Sequence, residues 1–161
     1  MIVAFSGHRP EKLPWGGNEL DQRCQALRIR MGQAVDDLIA RGADTFLCGM
    51  ARGCDFLFAE AVLRRMEEDP DLSLEGWVPC VSQPDRWGEA DRARYDRLLR
   101  SCTRVYLLEE RYSDGVMLRR NRAMIDRADL LLTVWDGTEG GTAASVRYAS
   151  RLGKPVEGLW L

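Results

Sequence analysis

The residues best suited to bind a ligand or to take part in catalysis lie in four short segments. These segments combine glycines with charged, hydroxyl or amide side chains. The segments are residues 6–10, 49–55, 119–122 and 136–142. Glycine permits tight turns and close approach of the backbone to a ligand, and the start of a helix attracts anions. Three of the segments are glycine turns that follow predicted strands, so the pattern favours binding of a phosphate-bearing ligand.

Several individual side chains in these segments have two interpretations. His8 and Arg9 directly follow a predicted strand, and His8 either contacts a ligand or satisfies a buried carbonyl. Asp55 either caps a helix or accepts the hydroxyls of a ribose, as acidic residues do in dinucleotide-binding folds. Arg120 stands at a helix start, where a cation is unfavourable unless an anion offsets it. The fourth segment lacks the lysine that ends a Walker A loop.

These observations define two sets of candidate residues. The ligand-binding candidates are Ser6, Gly7, His8, Arg9, Gly49, Arg52, Gly53, Asp55, Arg120, Asn121, Asp136, Gly140, Gly141 and Thr142. The catalytic candidates are Arg120, His8, Asp55 and Asp136, with no complete acid–base set among them. No metal site is expected, since the chain has one histidine and no Cys-x-x-Cys pair. Cys54 and Cys80 are interpreted as buried or pocket-wall residues rather than as activated nucleophiles.

Alternating strands and helices must position these segments. Apolar runs predict strands at 2–6, 45–48, 74–78, 103–108, 130–135 and 155–159, separated by helices near 27–39, 56–66, 87–99, 117–127 and 142–152. Strands that are apolar throughout are typical of parallel sheets covered on both faces. We therefore expect one Rossmann-like α/β domain over residues 1–161, with a mostly parallel sheet of five to six strands. Ligands in such sheets bind beyond the carboxyl ends of the strands.

Composition narrows the function classes. The chain has 161 residues and a formal net charge of −2, which disfavours a protein that coats nucleic acid. No apolar stretch is long enough to span a membrane, and the first residues do not resemble a signal peptide. Together with five cysteines and no disulfide pattern, this predicts a cytoplasmic protein with reduced thiols.

The four segments resemble the SLOG superfamily, which joins the DNA-processing SMF/DprA proteins and the LONELY GUY phosphoribohydrolases. The matching motifs are Ser-Gly-His-Arg-Pro-Glu-Lys-Leu at 6–13, Gly-Met-Ala-Arg-Gly-Cys-Asp at 49–55, Arg-Asn at 120–121 and Asp-Gly-Thr-Glu-Gly-Gly-Thr at 136–142. They occur in the family's order over nearly the whole chain. The short bacterial branch of YoqJ and YpsA type, which is largely uncharacterised, is the most similar.

The resemblance implies a Rossmann-like fold, a nucleotide or ADP-ribose-like ligand and a homodimer. Carried over by position, residues 49–55 shape one side of the pocket, residues 140–142 hold a phosphate, and Arg120 stands beside a scissile N-glycosidic bond. One departure affects activity: the hydrolases have a glutamate where this chain has Ser145. We therefore expect a sensor or regulatory module that binds a nucleotide. Nucleotide hydrolysis is the alternative, and single-stranded DNA binding is less favoured.

Overall fold

A computed structural model describes residues 1–161 as six strands that alternate with five helices. The strands are β1 (Ile2–Gly7), β2 (Thr45–Cys48), β3 (Ser73–Val78), β4 (Arg104–Leu107), β5 (Leu130–Trp135) and β6 (Val156–Trp160). The helices are α1 (Gln22–Ala40), α2 (Cys54–Met66), α3 (Glu89–Ser101), α4 (Val116–Arg127) and α5 (Gly141–Arg151), with a short 3-10 turn at Pro10–Lys12. None of the helices has both the length and the apolar character that a membrane span requires.

All six strands run parallel in the order β4-β3-β2-β1-β5-β6. The expected Rossmann-like α/β fold with a parallel sheet is thus confirmed. From β1 the chain first proceeds outward through β2, β3 and β4, and then returns to place β5 on the other side of β1. This reversal makes the crevice beyond β1 and β5 the topological switch point, where doubly wound sheets bind their ligands.

Helices cover both faces of the sheet and bury two apolar cores. The larger core lies between the sheet and α1, α2 and α3, where the rings of Phe5 and Phe58 stack with centroids 4.4 Å apart. The smaller core contains Met124 and Ile125 of α4 and Ala149 of α5. The central strand β1 contributes Val3 and Phe5 to one core and Ala4 to the other. Burial from both sides explains why the central strands β1, β2 and β5 are largely apolar.

The edge strand β4 departs from the expectation that apolar strands are covered by helices on both faces. After Arg104, β4 is apolar in sequence, yet Val105 and Leu107 are 49% and 48% exposed, because β4 pairs only with β3 at the edge of the sheet. The predicted helix at 87–99 also begins two residues later, at Glu89. Trp87 instead lies in the preceding turn, where its ring meets those of Phe56 and Tyr95 edge-on. The remaining predicted elements agree with the structure closely, apart from α1, which begins five residues earlier than the predicted helix.

Candidate functional site

A cavity of about 410 Å³ opens at the switch point, beyond the carboxyl ends of β1 and β5. Its walls come from the segment after β1, the start of α2, the first turns of α4 and the first turn of α5. The lining residues are Phe5, Ser6, Gly7, His8, Arg9, Glu11, Lys12, Ala51, Asp55, Met117, Leu118, Arg120, Asn121, Gly141 and Thr142. This volume lies within the range of small-molecule sites.

The segment after β1 is fixed by close packing against α2. A Cβ on Gly7 would lie 2.6 Å from Cβ of Cys54, and a Cβ on Gly53 would lie 2.7 Å from the carbonyl oxygen of His8. Gly53 also has a φ of +87°, which glycine adopts without strain. The N–H of Cys54 donates to the His8 carbonyl over 3.1 Å. Glycine is therefore needed at both positions to bring the β1 segment against the start of α2.

Asp136 holds the imidazole of His8 at the cavity wall. Nε2 of His8 lies 2.8 Å from Oδ1 of Asp136 and 3.2 Å from its backbone nitrogen. Hydrogen bonds from Thr138 and from His8 keep the pKa of Asp136 well below its usual value. Asp136 thus remains a carboxylate that orients His8, and it does not itself line the cavity.

Arg120 is a buried arginine, only 3% exposed, and no carboxylate forms an ion pair with it. Its Nη1 donates to the carbonyls of Gly49 and Trp77, the latter over 3.0 Å, and its Nε donates to Oδ1 of Asn121 over 2.8 Å. A Cβ on Gly49 would lie 2.5 Å from the guanidinium carbon. The glycine therefore makes room for the guanidinium, and Nη2 takes no part in these bonds.

Asp55 brings a carboxylate to the same cavity. Its Oδ2 accepts a hydrogen bond from the N–H of Ala51 over 3.0 Å, which leaves Oδ1 without a hydrogen bond from the protein. Burial raises the pKa of Asp55, and the charge of Arg120 offsets part of that rise. Burial also lowers the pKa of Arg120, against the opposing effect of Asp55. Both directions follow from the burial of the two groups, which the attraction between their charges offsets only in part.

Backbone strain accompanies this arrangement in the turn after β2. Met50 is fully buried and has a φ of +59°, the one left-handed φ in the chain outside glycine. Its carbonyl and that of Gly49 both accept hydrogen bonds from Nε2 of Gln83. Strain of this kind persists only where neighbouring contacts hold it, and it concentrates at functional sites.

The first turn of α5 forms the opposite wall. Gly140 precedes the helix with a φ of +146°, and the first hydrogen bond of the helix runs from the N–H of Ala144 to the Gly140 carbonyl. The N–H groups of Gly141 and Thr142 lie ahead of that bond, where a helix has no internal acceptors. Lys12 donates to the carbonyl of Glu139 and adds a cation beside them.

Nine of the fourteen predicted ligand-binding residues line the cavity, and five lie behind its walls. The nine are Ser6, Gly7, His8, Arg9, Asp55, Arg120, Asn121, Gly141 and Thr142; the five are Gly49, Arg52, Gly53, Asp136 and Gly140. The five shape or hold the wall, and Arg52 does so through Glu11, a lining residue with which it pairs over 2.6 Å. Ser145 is buried behind the wall and donates to the Gly141 carbonyl over 3.1 Å.

The arginines around Arg120 do not converge on one ligand. Arg119 pairs with Glu109 over 2.8 Å, and the guanidinium of Arg122 lies 5.3 Å from the ring centroid of Tyr148. Six lining residues were not predicted from the sequence: Phe5, Glu11, Lys12, Ala51, Met117 and Leu118. Glu11, Lys12 and Ala51 carried a usable signal, since they lie within the motifs at 6–13 and 49–55.

The fold and the cavity define a doubly wound α/β protein with a candidate ligand site at its switch point. The family model described as the YspA SLOG family matches residues 3–152, and the chain belongs to this family. Curated relatives include a UPF0398 protein of Bacillus pumilus, 27% identical over 88% of this chain and 76% of the relative. A UPF0398 protein of Bacillus thuringiensis is 25% identical over 97% of this chain and 85% of the relative.

Solved structures with the same fold include two DNA processing proteins A. The Helicobacter pylori protein, described for its single-stranded DNA binding mode, superposes with a TM-score of 0.65 and 18% identity over 98% of this chain. The Streptococcus pneumoniae protein superposes with a TM-score of 0.63 and 14% identity over 97% of this chain. The chain spans 64% of the first and 49% of the second. At these identities the likeness shows the fold.

Proposed function

We propose that this protein binds a nucleotide or a nucleotide-derived, ADP-ribose-like ligand in the switch-point cavity and acts as a sensor or regulatory module. One observation carries the proposal: the cavity joins the open first turn of α5 to a buried guanidinium and a buried carboxylate. Such a set of groups matches the phosphate and the sugar of a nucleotide. No complete acid–base set accompanies it, which favours binding over turnover.

The phosphate is assigned to the start of α5. The N–H groups of Gly141 and Thr142 and the ammonium of Lys12 all favour an anion at that wall. Asp55 lies across the cavity, and its Oδ1 is available to accept a ribose hydroxyl. Nη2 of Arg120 supplies a further donor. The ligand would therefore extend from α5 towards the start of α2.

Thermal denaturation with a nucleotide panel tests the proposal. The panel contains AMP, ADP, ATP, ADP-ribose and NAD, each with and without magnesium. A ligand at about 100 times its Kd adds about 2.7 kcal/mol of stability, which raises Tm by about 5–11 °C at this size. Lys12→Met should reduce the shift, whereas Arg151→Met, which removes an exposed cation at the far end of α5, should leave it unchanged. No shift with any compound would contradict the proposal.

Hydrolysis of a nucleotide is the second candidate, and the environment of Asp55 favours it. A buried carboxyl with a raised pKa is suited to act as a general acid beside a cation such as Arg120. Ser145 weighs against it, because a serine bonded to a backbone carbonyl neither activates water nor stabilises a sugar cation. Chromatography of nucleoside monophosphates after incubation with the protein distinguishes hydrolysis from binding. Release of base or phosphate that Asp55→Asn abolishes would establish that the protein is an enzyme.

Single-stranded DNA binding is the function described for the Helicobacter pylori structure, and it is the least favoured candidate here. The net charge of −2 provides little electrostatic attraction for a phosphate backbone. A fluorescent oligonucleotide should therefore show no salt-dependent change in anisotropy. Tight binding that weakens steeply with salt would revive this candidate.

A further inference from the structure

Two buried polar atoms next to the candidate site have no hydrogen-bond partner: Nε of Arg52 and Oε1 of Gln83. Both residues line a second, smaller cavity of about 30 Å³, together with Arg9, Trp87 and Met117. Arg9 and Met117 also line the main cavity, so the two spaces share a wall. Burying a polar atom without a hydrogen-bond partner is unfavourable, which makes two such residues beside one small cavity unusual.

The orientation of Gln83 is fixed by its own hydrogen bonds. Nε2 donates to the carbonyls of Gly49 and Met50 over 3.3 and 3.4 Å. Since carbonyl oxygens only accept, the amide nitrogen must face them, and Oε1 must be the atom left without a partner. The residue is only 8% exposed. Gln83 therefore presents a buried acceptor that has no hydrogen-bond partner.

Arg52 presents the complementary atom. Its Nη2 donates to Glu11 over 2.6 Å, and its Nη1 lies 3.9 Å from a carboxylate oxygen of Asp91. The guanidinium carbon lies 5.6 Å from the ring centroid of Trp87. These contacts hold the guanidinium in place, and Nε remains a buried donor that needs an acceptor.

We propose that the small cavity is a second subsite of the ligand pocket and takes a neutral group that both donates and accepts a hydrogen bond. The amino-and-ring-nitrogen edge of a nucleobase and a sugar hydroxyl share this chemistry. An ionised phosphate does not fit, because it has no proton to give to Oε1 of Gln83. The volume suits one such group and is comparable to that of a single water molecule. This inference rests on the proposed nucleotide binding and assigns Arg52, which does not line the main cavity, to the same ligand.

Calorimetric titration with AMP and ADP-ribose, compared with altered forms of AMP, tests the subsite. Purine riboside monophosphate lacks the amino group of the base, and 2′-deoxy-AMP and 3′-deoxy-AMP each lack one hydroxyl. One of these compounds should bind the wild-type protein at least tenfold more weakly than AMP. Arg52→Met should remove that discrimination, and Gln83→Leu should remove it where the protein still folds. Asp91→Asn, which changes the weak ion pair of Arg52 outside the subsite, should retain it.

The outcomes separate the two proposals. If AMP or ADP-ribose binds but neither Arg52→Met nor Gln83→Leu alters affinity or discrimination, the cavity holds only water and the subsite is overturned while the main site stands. If neither AMP nor ADP-ribose binds the wild-type protein, this inference fails together with nucleotide binding.

Discussion

Gly49→Ala should disable the candidate site through Arg120. The new Cβ would lie 2.5 Å from the guanidinium carbon and 2.7 Å from Nη1, so the guanidinium would have to retreat by about 1 Å to restore normal contact. The end of an arginine is flexible on a surface, but this one is buried and bonded to two backbone carbonyls and to Asn121. Overpacking and weakened charged hydrogen bonds together should cost about 2–4 kcal/mol, or about 4–16 °C in Tm.

Thermal denaturation and nucleotide titration measure the effect, with Gly17→Ala as the matched control. Gly17 has no atom within 4 Å of an added Cβ and no left-handed φ, so its substitution should change stability by less than about 0.5 kcal/mol. In an Arg120→Met background, Gly49→Ala should cost much less than in the wild type, because the guanidinium is gone. Equal Tm and affinity for Gly49→Ala and Gly17→Ala would refute the reasoning.

Three further substitutions or measurements follow from the same contacts. Gly53→Ala should lower the free energy of unfolding by about 2–4 kcal/mol in urea denaturation, since the φ of Gly53 is +87° and the added Cβ would meet the His8 carbonyl. A loss of less than about 0.5 kcal/mol, as ordinary surface substitutions cause, would contradict this prediction. Because the pKa of Asp55 is raised in the folded protein, its contribution to stability falls as pH rises from about its usual pKa of 3.8 through the folded value. The stability of Asp55→Asn relative to wild type should therefore increase over that pH range, and a decrease would contradict the raised pKa. Four cysteines are buried, and burial raises the pKa of the half-buried Cys102 to about 11. A thiol reagent should therefore react slowly with the native protein, whereas in denaturant it should react readily with all five thiols.

The sequence predicted most of the fold because its local signals were strong. The central strands β1, β2 and β5 are largely apolar runs, and glycine or proline directly follows β2 and β3, so the ends of β2 and β3 were predictable to within a residue. The exposure of β4 was not predictable, because an apolar run does not reveal whether a strand lies at the edge of a sheet. Trp87 was assigned to a helix because aromatic spacing does not distinguish a helical face from a packed turn.

The candidate site was predicted in part, for a physical reason that follows from strand order. Motifs at the ends of parallel strands must share one edge, so Asp55, Arg120 and Thr142 were expected near one another. Which side chain faces the cavity depends on packing between distant segments. Arg52 turns to Glu11 and Lys12 turns to Glu139, and neither choice is visible in local sequence.

A crystal structure with AMP bound is the most direct test of the proposed ligand site. The phosphate should lie within hydrogen-bonding distance of the N–H groups of Gly141 and Thr142, and a ribose hydroxyl should donate to the carboxylate of Asp55. A nucleotide bound elsewhere on the protein, with the first turn of α5 left out of contact, would contradict the account.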